Sequence, residues 1–153
     1  MTYVQRVLQP NETLIYATRL HWLVFGRAIF LLVLALIALW GGAQIQGGFE
    51  MVLWIVAAAL FALAVIDGAA AALRRTSTEL AVTDHRVIYK RGLISRYTIE
   101  MARSKVESVD VVQSVLGRIF NYGTILVHGT GGSLEPFRNV EDPIRLRSAI
   151  IAQ

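Results

Sequence analysis

Six cations fall within 20 residues of this chain: Arg86, Lys90, Arg91, Arg96, Arg103 and Lys105. Such a density reads in two ways, as side chains that solvate the outer faces of strands or as a surface turned toward something acidic. Glu100 and Glu107 interleave with the cations and neutralise part of them. Anionic lipid headgroups suit the second reading, since each Lys or Arg near a membrane surface contributes about 1 kcal/mol. Arg86, Lys90, Arg91 and Arg96 are the candidate lipid-facing basic residues. Nucleic acid does not suit it, because no DNA- or RNA-module motif accompanies the cluster. Catalysis and metal binding have little to work with: His21, His85 and His128 are far apart, Cys is absent, and no His-x-x-x-His spacing occurs. No catalytic, cofactor-binding or metal residue is therefore assigned, and no cofactor is expected. GTGGS, Gly129 to Ser133, lacks the lysine of a phosphate-binding loop and reads as a hairpin turn.

A second pair of charges lies where charges are rare. The chain is 55% hydrophobic and 17% charged, and Leu23 to Leu73 carries only Arg27, Glu50 and Asp67 as charged residues. Two apolar runs, about 23–43 and 51–73, read as a transmembrane helical hairpin occupying 22–75, with Arg27 near the start of the first helix and Asp67 near the end of the second. Counted from the loop-side ends of the runs, Ala43 to Arg27 and Met51 to Asp67 are both 16 residues, so the opposite charges fall at nearly one depth. They form an intramembrane ion pair, or each extends separately to the headgroups. Ala38 with Gly42, and Ala58 with Ala62, are spaced for close helix packing. The connecting GGAQIQGGFE has no Lys or Arg, whereas Arg19, Arg27, Arg74 and Arg75 flank the outer ends, which predicts both termini on the cytoplasmic side.

Beyond Arg75 the apolar period changes from helical to about two. TELAVT, RVIYKR, RYTIEM, KVESVDV, GTILVHG and LEPFRN are short β-prone segments separated by turns, with a change of face inside KVESVDV that suggests a bulge. A seventh, ETLIYATRL, precedes the hairpin, so the β domain at 76–153 takes its first strand from the segment 1–21. EDPIRLRSAI, with Asp142 as N-cap and Pro143 at the first helical position, predicts a terminal helix closing one end.

VTDHRVIYKRGLISRYTIEMARSKVESVDVVQSVLGRIFNYGTILV resembles the bacterial PH (pleckstrin-homology-like) domain membrane proteins. The likeness rests on a T-D-x-R strand start, a basic-basic-Gly-Leu turn, an S-K/R-I/V-x-x-V strand, S-x-L-G-R-x and Y-G-T, in that order; Ala102 stands where the family often has Pro. The resemblance implies a seven-stranded bent β-barrel capped by a C-terminal helix, and supplies no catalytic or ligand residues. The expected class is an α+β membrane protein of the bacterial inner membrane, multi-pass, with N and C termini cytoplasmic. The expected function is that of a non-enzymatic adaptor or scaffold, with an anionic-lipid headgroup sensor as the alternative. The partners expected are membrane lipids and another membrane or cytoplasmic protein, with a homo-oligomer left open and nucleic acid excluded.

Overall fold

The computed structural model describes residues 7–45, 47–92, 97–130, 132, 133 and 136–152. The chain divides into two compact units, Trp22–Leu73 and the combination of Met1–His21 with Arg74–Gln153.

In the first of these, a 3-10 turn at Trp22–Phe25 leads into helix α1 (Gly26–Gln44), and Gly47 and Gly48, both at positive φ, precede helix α2 (Phe49–Ser77). At 1.5 Å per residue α1, with 19 residues, is about 28 Å long, and α2, with 29, about 43 Å. Both are long and apolar enough to cross a membrane. Their packing is inverted relative to a water-soluble helix pair. The buried positions are small, Ala35 and Gly42 on α1 and Ala57, Ala64 and Ala71 on α2, while Leu36, Ile37, Trp40, Ile55, Phe61 and Ile66 point outward. Both buried sets recur every seven residues, the period of a left-handed helix seam. A Cβ added at Gly42 would meet the Leu53 Cβ at 3.3 Å. The four-residue spacing predicted the wrong partners on α2: Ala58 and Ala62 are exposed, because the seam follows the heptad.

The other unit contains all the strands. Alternating apolar residues put β1 (Leu14–Arg19) beside β2 (Glu79–Thr83), antiparallel, with Tyr16 opposite Val82 and Thr18 opposite Leu80. The two-residue turn Asp84-His85 joins β2 to β3 (Arg86–Arg91), which pairs with β4 (Tyr97–Ala102), so that one sheet has the order β1-β2-β3-β4. A 3-10 turn at Arg103–Lys105 redirects the chain into β5 (Val106–Val112) of the second sheet. There β6 (Tyr122–Gly129) lies between β5 and β8 (Phe137–Glu141), and a two-residue strand β7 (Gly132–Ser133) extends its end. The register shifts between Val106 and Ser108, where the sequence changes face.

The seven main strands do not close into a barrel. Among the described residues the two sheets are joined by a single bridge, Leu20 to Val140, supported by the His21 amide donating to the Asn139 carbonyl at 2.8 Å and the Thr18 hydroxyl to the Glu141 carbonyl at 2.9 Å. The chain leaves β1 for the 3-10 turn too soon for a longer ladder, and the Arg103–Lys105 turn parts β4 from β5 at the opposite seam. The sheets instead pack face to face: Leu80, Val82, Val87 and Tyr89 of one meet Val109, Ile125, Val127, Phe137 and Val140 of the other, with the Tyr89 and Phe137 rings 4.3 Å apart. The terminal helix, α4 (Pro143–Ile151; α3 is the short helix Val115–Ile119), inserts Leu146 and Ile150 into this core. Asp142 caps it from a left-handed conformation, accepting the Arg145 amide, and Pro143 occupies the first turn.

Candidate functional site

Thr83, Asp84, His85 and Arg86 form the β2–β3 turn, which is held by a dense set of hydrogen bonds. The Thr83 hydroxyl accepts the Arg86 amide at 3.0 Å and lies 2.7 Å from Glu12 Oε1; an Asp84 carboxylate oxygen accepts the Thr13 amide at 3.1 Å and sits 2.8 Å from His85 Nδ1. The Arg86 guanidinium then closes on Glu12 with two parallel bonds, Nε to Oε1 at 2.8 Å and Nη2 to Oε2 at 2.7 Å, while Nη1 donates to Glu100 Oε2 at 2.6 Å and Nη2 to the Val7 carbonyl at 3.0 Å. Such a fork is geometrically specific and stronger than a point-charge contact. The Arg86 side chain is only 16% exposed and that of Glu12 only 3%. This corrects the sequence-based assignment of Arg86 as a lipid-facing residue: its donors are consumed within the fold, clamping the segment before β1 to β3 and β4.

Arg103 is taken up as well. Its guanidinium donates to the Ala149, Ile150 and Ala152 carbonyls, satisfying the C-terminal end of α4 with a cation where the helix dipole favours one. Lys90 is half-buried on β3, opposite Thr98, and Arg91, opposite Tyr97, is exposed at the strand end. Alternation along β3 places Arg86 and Lys90 on one face and Arg91 on the other, so the four candidates do not form one row. Arg96 lies outside the described residues.

A cleft of about 470 Å³ opens between β1, β2 and the start of α4. Arg19, Arg75 and Arg145 line it together with Glu79, Glu141 and Asp142, three charges of each sign. Arg75 Nε donates to the Leu20 carbonyl at 3.1 Å, and burial pushes the Tyr16 phenol on its wall up from the ordinary value. A cleft balanced in this way has no net preference for anions. Among the described residues no group of His, Asp and Glu is arranged to hold a metal ion, and Asp110 Oδ2 lies 3.1 Å from His128 Nε2.

With this geometry in view, the family model for the bacterial PH domain matches residues 17–153, nearly the whole chain. The chain belongs to the bacterial PH domain family. Comparison with curated proteins and with solved structures gave no match. In this bacterial PH domain the T-D-x-R run is thus the turn lock just described, with Arg86 as its clamp. The match also spans the helical hairpin, where Arg27 Nε lies 2.9 Å from Asp67 Oδ2.

The clamp makes one pH dependence specific. The Arg86 guanidinium holds the Glu12 carboxyl well below its ordinary 4.5, at about 2. A depressed carboxylate stabilises the fold above the unfolded value, and that contribution is lost as pH falls toward the folded one. The stability difference between the wild type and Glu12→Gln, followed by urea denaturation in detergent micelles, is expected to stay level above pH 4.5 and to shrink as pH falls toward 2. A difference that stays level down to pH 2 would show that Glu12 is not held by the guanidinium.

Proposed function

We propose that this bacterial PH domain protein is a non-enzymatic adaptor or scaffold, held by two transmembrane helices at the cytoplasmic face of the bacterial inner membrane. The observation that carries the reading is the inverted packing of α1 and α2: small residues at the seam and large apolar ones outward suit lipid and would be costly in water. The Arg residues at the outer ends of the hairpin support a cytoplasmic orientation. The headgroup-sensor alternative is weakened, since Arg86 and Arg103 serve the fold and Lys90 and Arg91 lie on opposite faces of their strand.

Because the chain has no Cys, single cysteines report cleanly. In intact cells a cysteine at Ile45, exposed after α1, is expected to react with an impermeant thiol reagent, and one at exposed Glu107 is expected to stay unreacted until the cells are opened. Ser77 would be a poor reporter because it is buried. Labelling at Glu107 and not at Ile45 would reverse the orientation and end the cytoplasmic reading.

A further inference from the structure

The segment Val112 to Phe120 presents five large apolar side chains to the outside within nine residues: Val112, Val115, Leu116, Ile119 and Phe120, with Val115 76% and Ile119 68% exposed. Their exposure is imposed by a built scaffold. Ser114 caps the short helix α3 by accepting the Gly117 amide at 3.0 Å, and the Gln113 side-chain amide donates to the Gly117 carbonyl at 3.3 Å and the Tyr122 carbonyl at 3.1 Å. Gly117 is buried so closely that a Cβ there would lie 2.6 Å from the Tyr122 carbonyl oxygen, and one at Gly123 would lie 2.8 Å from the Gln113 Cγ. The turn therefore cannot roll its apolar side chains inward without breaking these contacts. Soluble surfaces rarely hold a contiguous apolar patch in place this way without a binding role.

The charge around the patch indicates what it meets. No Asp or Glu occurs from Val111 to Ser133, and the only Lys or Arg in that stretch is Arg118, exposed beside Ile119. An apolar run whose one internal charge is a cation, with Asp110 just before it, matches the boundary between anionic headgroups and acyl chains. A nine-residue patch is smaller than the roughly 20–30 residues a side of a stable protein interface, which disfavours a second copy as the occupant. Tethering supplies the rest, because a chain that carries its own bilayer-length helices keeps lipid at high effective concentration.

We infer that the Val112–Phe120 turn inserts its apolar side chains into the anionic membrane that holds the chain, fixing the face of the β-rich unit turned toward lipid. The inference rests on the reading that α1 and α2 span a bilayer. The full chain, reconstituted in phosphatidylglycerol–phosphatidylcholine vesicles, would carry one spin label at a time at Val115, Ile119, Leu36 of α1 or Glu107 of β5. Labels at Val115 and Ile119 are expected to gain oxygen accessibility and lose nickel-chelate accessibility, as Leu36 does, while Glu107 stays open to the chelate. Arg118→Glu is expected to restore chelate access at Ile119 in anionic vesicles. Val115 and Ile119 reading like Glu107 while Leu36 reads as embedded would overturn the inference and leave the spanning helices standing; an aqueous Leu36 would overturn both. Spectral broadening at Ile119 that disappears on dilution with unlabelled chain would overturn it in favour of a second copy.

Discussion

Replacing Arg86 by Leu is expected to destabilise the β-rich unit by about 3–5 kcal/mol, because the substitution strands Glu12 as a buried carboxylate with its cation gone. Glu12 has a 3% exposed side chain and cannot recover its hydration without local unfolding, whereas Glu100, at 36%, can turn to water. The loss should therefore depend on Glu12. Arg86→Leu combined with Glu12→Leu is expected to recover most of it, since replacing both members of a buried pair by apolar groups is often nearly neutral. Pulse proteolysis in urea on the full chain in detergent micelles would measure each variant. A loss under about 1 kcal/mol for Arg86→Leu would place the residue among ordinary surface cations and return it to the lipid-facing set.

The second large effect is expected in the hairpin. Asp67 is 26% exposed at its side chain and Arg27 81%, so the two members of the pair differ in what they lose when separated. Arg27→Leu leaves a carboxylate within an apolar helix, which costs about 2.5–3.5 kcal/mol at a bilayer centre and less toward the interface. Asp67→Leu leaves a long cation able to reach the headgroups with its stem buried, and is expected to cost less. The exchange Arg27→Asp with Asp67→Arg should regain most of the Arg27→Leu loss. Resistance to unfolding as dodecyl sulfate is titrated into the detergent-solubilised chain would rank the four proteins. An exchange no better than the worse single variant would mean that the charges act independently.

The strands were legible because each carries its own alternation: each of the seven segments marked by period-two patterning contains or overlaps a strand among the described residues, the two-residue β7 was not marked, and the Asp142-Pro143 start predicted the closing helix. What local pattern could not encode is how strands from distant parts of the chain meet. Sheet closure depends on how far β1 runs beside β8 and how β4 leaves for β5, and both are set by turns whose geometry follows from tertiary packing. The same limit hid the fate of Arg86. Its position in a dense cationic run suggested an open surface, yet its partner Glu12 lies 74 residues away in sequence. The short helix Val115–Ile119 lies in a stretch between two β-prone segments, and its five residues are too few for a helical period to show. Its signal was the cap and spacing of Gln113, Ser114 and Gly117, which makes sense only once Tyr122 is seen beside them.

The pairing of β1 with β2 across an inserted helical hairpin has a consequence for how the protein is made. β1 emerges from the ribosome before either long helix, and its partner strand emerges after both, so the first sheet edge stays open while about 60 residues are synthesised and, in the proposed membrane-spanning arrangement, inserted. Two strands can hydrogen-bond only in one compartment. A chain whose hairpin made a single crossing would leave β1 and β2 on opposite sides of the bilayer, with β2 displaying an unpaired edge and the clamp between Glu12 and Arg86 unmade. In the proposed two-pass arrangement, completion of the sheet would report that both passes were made, and a misinserted chain would expose the kind of open strand that proteases and chaperones recognise.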